Sequence, residues 1–124
     1  MATARLEHVN ISVTDGDRTA DFIARLTGWT RRWEGPSLHN GRSIHLGTND
    51  SYIAVHTSPQ VTGGFAKGVP MNHVGIAVDD LDAAEAIVRG AGFEPFNHGQ
   101  YDPGPRSFYF FDSDGIEWEI VSYD

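Results

Sequence analysis

The sequence predicts an α+β fold in which one βαβββ module occurs twice. Two observations predict it: a repeated strand pattern with matched histidines, and a C-terminal segment with the alternation of a β-hairpin. At 124 residues the chain has the length of a single compact domain. We divide it into module 1 (residues 5–57), a linker (58–70) rich in Gly and Pro, and module 2 (71–124).

The repeat is clearest in the first strand of each module. Residues 7–13 match residues 72–78 in sequence: each segment has a histidine in second position, followed by apolar residues at alternating positions. Period-two alternation is typical of a half-buried strand. We therefore expect His8 and Asn10 to lie opposite the apolar face of one strand, and His73 opposite that of the other.

A helix is predicted after each of these strands. In module 1, Asp15 or Asp17 is a suitable N-cap for a helix that ends at Gly28. In module 2, either Asp79 or Asp80 begins the helix. The apolar stripes of the two helices are Ala20, Phe22, Ile23 and Leu26, and Leu81, Ala84, Ile87 and Val88.

Three further strands complete each module. They are predicted at residues 29–34, 42–47 and 51–57, and at residues 93–96, 106–111 and 115–121. The polar segments 35–41 and 97–105 are predicted as loops. Because the helices cover one face of the sheets, we expect the histidine-bearing face to line a cleft.

Two carboxylates stand in the last predicted strand. Glu117 and Glu119 share the face opposite its apolar residues. A metal ion shared with His8 and His73 is the most economical reason for a carboxylate in mid-strand. Two imidazoles and one carboxylate leave open coordination positions and suit Fe, Mn, Ni or Zn. For Glu117 the simpler interpretation is a solvated charge at the rim.

Composition excludes several classes of function. The formal net charge is -8 and Lys67 is the single lysine, which argues against nucleic acid as a partner. The absence of cysteine excludes disulfides and thiol catalysis. No apolar run is long enough to span a membrane, and the first residues lack the apolar region of a signal peptide. We expect a cytoplasmic protein.

The paired βαβββ repeat, with a histidine on each first strand and a glutamate on the last, resembles the vicinal oxygen chelate superfamily. That superfamily includes glyoxalase I, type I extradiol dioxygenases, fosfomycin-resistance thiol transferases and bleomycin-resistance proteins. The resemblance covers essentially the whole chain, and residues 108–119 carry its motif Phe-Tyr-Phe-x-Asp-x-Asp-Gly-x-x-x-Glu. It implies that His8, His73 and Glu119 ligate the metal between one N-terminal and one C-terminal module. It also implies a homodimer, since the modules of short members often come from different chains.

Further polar residues are candidates for contact with the substrate. Tyr109 resembles the cleft-facing tyrosine of several members, which contacts substrate or a developing charge. His45 matches Tyr109 in the repeat and is a candidate acid/base group or fourth ligand. The substrate-binding candidates are Asn10, His56, His98, Tyr101 and Arg106, the last three in or beside the loop predicted at residues 97–105. Trp29, Trp33 and Phe65 are candidates for an apolar wall.

The fourth-ligand position depends on strand register. Aligning the repeat without gaps pairs Glu119 with Val55, which cannot bind a metal. His56 is one residue out of phase, so it would face the helix unless the turn at residues 48–50 shifts the register by one.

The expected function is that of a divalent-metal-dependent enzyme of the glyoxalase type, a lyase or isomerase acting on a small oxygen-bearing substrate. In this hypothesis His45 or Glu117 moves the proton. One alternative is a ring-cleaving Fe(II) extradiol-type dioxygenase, although His98 lies farther from Tyr109 than its signature allows and Ser113 replaces the usual proline. The other alternative is a metal-free, drug-binding protein of the bleomycin-resistance type, whose cationic ligands would suit the acidic charge.

Overall fold

The computed structural model describes residues 3–65, 67–101 and 104–124. The chain forms two compact units, residues 1–63 and 64–124, and the division between them falls inside the segment predicted as a linker. Each unit consists of a four-stranded sheet with a helix packed on it. The predicted α+β class and the tandem βαβββ order are confirmed.

The first unit holds five elements in chain order. They are β1 (His8–Ser12), α1 (Gly16–Thr27), β2 (Thr30–Ser37), β3 (Gly41–Gly47) and β4 (Tyr52–Thr57). The strand order is β1-β4-β3-β2, in which β1 and β4 are parallel and the other neighbours are antiparallel. The strand that carries His8 therefore lies beside the last strand of its unit.

The second unit repeats this arrangement. Its elements are β5 (Val74–Ala77), α2 (Leu81–Gly90), β6 (Phe96–Gln100), β7 (Arg106–Phe111) and β8 (Glu117–Ser122). The order is β5-β8-β7-β6, again with one parallel pair, β5 and β8. This pairing places the residues around His73 beside those around Glu119.

Both helices begin at the predicted caps. Oδ1 of Asp15 accepts a hydrogen bond from the backbone N–H of Arg18 at 3.0 Å, and Oδ1 of Asp80 accepts one from Ala83 at 3.0 Å. Gly28 ends α1 with φ 77°, a left-handed conformation that glycine adopts without a steric penalty. No helix of the described segments is long and apolar enough to cross a membrane.

The core of each unit lies between its helix and one face of its sheet. A Cβ on Gly16 of α1 would lie 3.6 Å from Thr57 and 3.7 Å from Ile44, so these two side chains face the helix. Because side chains alternate along a strand, His45 and His56 face the other way. The most buried apolar side chains are Val13, Ile23, Ile44, Leu46 and Val55 in the first unit, and Val88, Phe108, Phe110, Trp118 and Ile120 in the second.

Two predicted strand bounds were wrong. β2 continues to Ser37, since Ser37 still pairs with Gly41 of β3. β6 begins at Phe96 and continues to Gln100, inside the segment predicted as a loop, since Gln100 pairs with Arg106. In both cases pairing with a neighbouring strand overrides a polar, Gly-containing sequence.

The register of the first sheet differs from the ungapped repeat. Ala54 pairs with Asn10 and His45, as Glu119 pairs with Gly75 and Tyr109. Ala54 is therefore the structural counterpart of Glu119, and the expectation that Val55 occupies that position was wrong. The turn between β3 and β4 is one residue shorter than its counterpart, which moves His56 to the face opposite α1.

Candidate functional site

His73 and Glu119 meet on the face of the second sheet opposite α2. His73 directly precedes β5, and Glu119 is on β8, the parallel neighbour of β5. Nε2 of His73 lies 3.2 Å from Oε1 of Glu119. Two of the three predicted metal ligands are thus in contact within one unit.

The other nitrogen of His73 is also engaged. Nδ1 lies 2.8 Å from Oδ1 of Asn72, and since an amide oxygen only accepts, the imidazole donates its Nδ1–H to Asn72. Nε2 of the neutral ring then carries a lone pair, which faces the Glu119 carboxylate. A metal cation bound by both groups would reconcile these two acceptors.

His8 shows the same arrangement in the first unit. Its Nδ1 lies 2.9 Å from Oε1 of Glu7, the residue directly before it. Glu7 and Asn72 occupy the same position in the two repeats, and each accepts the Nδ1 hydrogen of the histidine that follows. Metal-binding histidines commonly donate one ring N–H to a carboxylate or carbonyl and bind the metal through the other nitrogen.

The predicted ligands divide between the two units. His73 and Glu119 belong to residues 64–124, whereas His8 belongs to residues 1–63. Within the described part of the chain, no three His, Asp or Glu side chains are gathered as a group able to hold a metal ion. The chemistry of the donor set, two imidazoles with oriented Nδ1–H groups and one carboxylate, fits a divalent first-row metal.

The simpler interpretation of Glu117, a solvated charge at the rim, was wrong. Its side chain is buried, and Nζ of Lys67 lies 2.7 Å and 2.8 Å from its two carboxylate oxygens. Its Oε2 is also 3.8 Å from Nδ1 of His73. Lys67 therefore engages both carboxylate oxygens of Glu117.

Tyr109 stands beside the His73–Glu119 pair. Its ring meets the His73 ring edge to face, with centroids 5.4 Å apart. Burial raises the pKa of the Tyr109 phenol, and the charge of Glu119 and a hydrogen bond to it raise that pKa further. The hydroxyl is therefore a proton donor, not a base, at neutral pH.

His45 lies on the open face of the first sheet, as predicted. Its ring stacks on Tyr52 with centroids 4.5 Å apart, and Tyr52 also stacks on His8 at 4.8 Å. Burial lowers the pKa of His45 from its ordinary value of 6.5, and the neighbouring His8 and Arg32 lower it further. The imidazole is therefore neutral near pH 7 and able to accept a proton.

His56 also reaches the open face of the first sheet because of the register shift. Its Nδ1 lies 2.9 Å from Oγ of Ser37, across the end of the sheet. Asn10 is exposed on β1, paired with the buried Ala54. These two predicted substrate contacts are thus on the same face as His8.

The other predicted substrate contacts lie elsewhere. His98 and Arg106 point to the helix side of the second sheet, where Nε2 of His98 is 3.0 Å from Glu85 and a guanidinium nitrogen of Arg106 is 3.0 Å from Asp82. Tyr101 is 60 % exposed at the end of β6. The structure does not bring these three together with His73.

Sequence reasoning missed three residues of this site. Glu7 and Asn72 had a detectable signal, because each is a hydrogen-bond acceptor directly before a matched histidine. Lys67 had none, because it lies fifty residues from Glu117 in a segment whose composition indicates only a linker.

The fold agrees with comparisons to known proteins. The family model for the Glyoxalase/Bleomycin resistance protein/Dioxygenase superfamily matches residues 5–120. The chain therefore belongs to this superfamily, and the resemblance seen in its sequence is confirmed. No curated protein sequence matches the chain significantly.

Three solved structures illustrate the likeness. A glyoxylase/bleomycin resistance protein/dioxygenase domain from Frankia sp. EAN1pec has a TM-score of 0.82 at 20 % identity, covering 98 % of each chain. The trypanothione-dependent glyoxalase I of Leishmania major has a TM-score of 0.76 at 18 % identity, covering 98 % of this chain and 88 % of that one.

The third is a mutant of the fosfomycin resistance protein FosX from Listeria monocytogenes, in complex with Mn(II) and 1S,2S-dihydroxypropylphosphonic acid. Its TM-score is 0.73 at 16 % identity, covering 96 % of this chain and 90 % of that one. At these identities the three likenesses establish the shared fold.

Proposed function

We propose that the protein is a divalent-metal-dependent enzyme of the glyoxalase type, a lyase or isomerase that acts on a small substrate through one or two of its oxygens. His8, His73 and Glu119 are the metal ligands. The observation that carries the proposal is the matched pair of hydrogen bonds from His8 to Glu7 and from His73 to Asn72.

These hydrogen bonds support the proposal because the same contact occurs at both matched histidines. A purely structural role of the two histidines does not require this repetition. Each fixes the tautomer in which Nδ1 carries the hydrogen and Nε2 is free to ligate. At His73 the free nitrogen is directed at the carboxylate of Glu119, 3.2 Å away. Three ligands would leave positions open for substrate oxygens.

When bound, a divalent cation supplies Lewis acidity, which makes a C–H beside a coordinated oxygen more acidic and stabilises the charge that develops there. Neutral His45 is the group we assign to proton removal, since its lowered pKa keeps it unprotonated near pH 7. Tyr109 keeps its phenolic proton and donates it to an oxygen that gains charge. Glu117, bound at both oxygens by Lys67, keeps that lysine beside the site.

The experiment that tests the activity is solvent exchange at carbon. Protein reconstituted with Mn, Ni or Zn is incubated with hydroxyacetone in deuterium oxide, and loss of the C–H signal beside the carbonyl is followed by NMR. We expect metal-dependent exchange that falls at least about tenfold in His45→Gln. His39→Asn, a change at an exposed histidine in the turn before β3, is the matched control and should leave the rate unchanged.

Exchange that is absent with every metal, or that is unchanged in His45→Gln, would contradict the proposed proton transfer. Oxygen consumption with catechol by the Fe(II)-loaded protein would instead indicate the ring-cleaving dioxygenase. Two imidazoles and a carboxylate are also the ligand set of that class.

The proposal includes a cytoplasmic homodimer with a small-molecule substrate. Family membership supports this assembly, since short members of the superfamily often combine modules from two chains. Sedimentation equilibrium of the metal-loaded protein tests it, with a mass of twice 13.6 kDa expected.

A further inference from the structure

A group of rings covers part of the open face of the first sheet. Trp33, His45 and Tyr52 come from β2, β3 and β4, and we call them the aromatic shelf. The ring centroids of Trp33 and His45 lie 4.8 Å apart, and those of His45 and Tyr52 lie 4.5 Å apart. Trp33 is 48 % exposed, so the outer part of the shelf presents a flat apolar surface to a ligand.

A β-bulge adds a cation to this shelf. Arg31 pairs with Leu46, and the pairing resumes at Trp33 with His45, so Arg32 is the extra residue on β2. A bulge redirects side chains that would otherwise alternate between the two faces. As a result the side chain of Arg32 lies on the same face as that of Trp33, and Cζ of Arg32 lies 4.5 Å from the centroid of the Tyr52 ring.

Arg32 differs from nearby arginines in what its guanidinium contacts. Arg31 and Arg42 both form ion pairs with Asp17 and Glu34. Among the residues that the structure describes, the ion pairs of this unit do not include Arg32. A guanidinium stacked on a ring keeps its N–H donors at its edge, where they match the two oxygens of a carboxylate.

The shelf is continuous with a predicted metal ligand. Tyr52 stacks on His8 with centroids 4.8 Å apart and planes 11° apart, and the same ring carries Arg32. A planar molecule whose oxygens lie at His8 would therefore be separated from Arg32 by about the Tyr52 ring, which both residues contact. Arg32, which none of the ion pairs among the described residues includes, is a cation on this face that can attract an anion at short range.

We propose that the open face of the first unit binds planar carboxylates, with Arg32 holding the carboxylate and the aromatic shelf holding the plane. This assigns the substrate of the proposed enzyme to the class of aromatic or conjugated carboxylic acids. The assignment to a substrate rests on the proposed function. The anion site itself is formed by the first unit and does not require a metal.

The test compares benzoate with benzamide, two planar molecules of similar shape that differ in charge. Binding to protein stripped of metal with EDTA is measured by tryptophan fluorescence and by NMR. We expect benzoate to bind at least about tenfold more tightly than benzamide, because a charge-assisted bidentate contact is lost in the amide. Arg32→Gln should remove this preference.

Two further variants separate the parts of the site. Trp33→Leu should weaken benzoate and benzamide by the same factor, because it removes only the flat surface. Arg25→Gln, an exposed change in the last turn of α1, should leave the preference intact and serves as the matched control.

Equal affinity of the wild-type protein for the two compounds would overturn the proposal, as would a preference that survives in Arg32→Gln. A separate titration with Mn(II) keeps the two proposals apart. Protein that binds benzoate through Arg32 but takes up no metal would refute the proposed enzyme while leaving the anion site established.

Discussion

Nε2 of His73 lies 3.2 Å from Oε1 of Glu119, and the parallel pairing of β5 with β8 sets that distance. The two residues are 46 positions apart in the chain, and they meet because the first strand of the unit pairs with its last. Asn72 accepts a hydrogen bond from the opposite side of the same imidazole. This relationship gives the metal proposal a set of direct tests.

Asn72→Ala should weaken metal binding without removing a ligand. The change leaves Nδ1 of His73 without its acceptor, so the ring loses its fixed tautomer and orientation. Loss of such an outer partner typically costs about 10- to 100-fold in metal affinity. Calorimetric titration with Zn(II) measures it. Asn72→Asp keeps an acceptor oxygen and should retain most of the affinity; an equal loss in both variants would count against the positioning role.

Glu7→Ala should give a loss of the same kind. Glu7 is 60 % exposed as a side chain, so water can replace part of its contact with the His8 ring. Glu7→Gln, which retains an acceptor, is the control in the same titration. A Glu7→Ala variant that binds metal as tightly as the wild-type protein would show that His8 does not need this partner.

Lys67→Met should destabilise the second unit. It leaves the buried carboxylate of Glu117 without the two charge-assisted bonds at 2.7 Å and 2.8 Å. We expect a loss of about 1–2 kcal/mol in the free energy of unfolding, at the low end for a charged contact because the Lys67 side chain is 42 % exposed. Urea denaturation measures it. Adding Glu117→Gln to this variant should restore part of the loss, and a further decrease would contradict this account of the pair.

Asp112→Ala should destabilise the hairpin between β7 and β8. Oδ1 of Asp112 accepts hydrogen bonds from the backbone of Asp114 and Ile116, and Oδ2 accepts one from the indole of Trp118 at 3.0 Å. Losing these acceptors should cost about 2–3 kcal/mol in the free energy of unfolding. Asp112→Asn keeps one acceptor oxygen and should lose less; equal losses would exclude the two backbone contacts as the cause.

His45 predicts a pH dependence of stability. Its pKa in the folded protein is below 6.5, so the unfolded chain binds the proton more readily. Stability is therefore fully present above about pH 6.5 and falls as the pH decreases through the folded-state pKa. Melting temperatures between about pH 7.5 and pH 5 should show a shallower decline in His45→Gln than in the wild-type protein. Parallel curves would mean that His45 does not titrate in this way.

Much of the fold was predictable because its signals are local. The alternation after His8 and His73, the aspartate caps and Gly28 each report a conformation within a few residues, and the structure confirms the elements they predict. The face of His45 also followed from the repeat. Such signals suffice for the elements and for the faces they present.

The remainder depends on contacts that leave no local trace. The one-residue shortening before β4 decides that Ala54, not Val55, matches Glu119, and composition does not reveal a register. The bulge at Arg32 is likewise a property of the β2–β3 pairing. The ion pair of Lys67 with Glu117 joins positions too far apart in the chain for any periodicity to report.

The most direct test of the central claim is titration of metal-free protein with Mn(II), Ni(II) and Zn(II), followed by metal analysis after gel filtration. The account predicts about one equivalent of a divalent metal per chain, and its loss in each of His8→Ala, His73→Ala and Glu119→Gln. No bound metal after reconstitution, or binding that is undiminished in these variants, would contradict it.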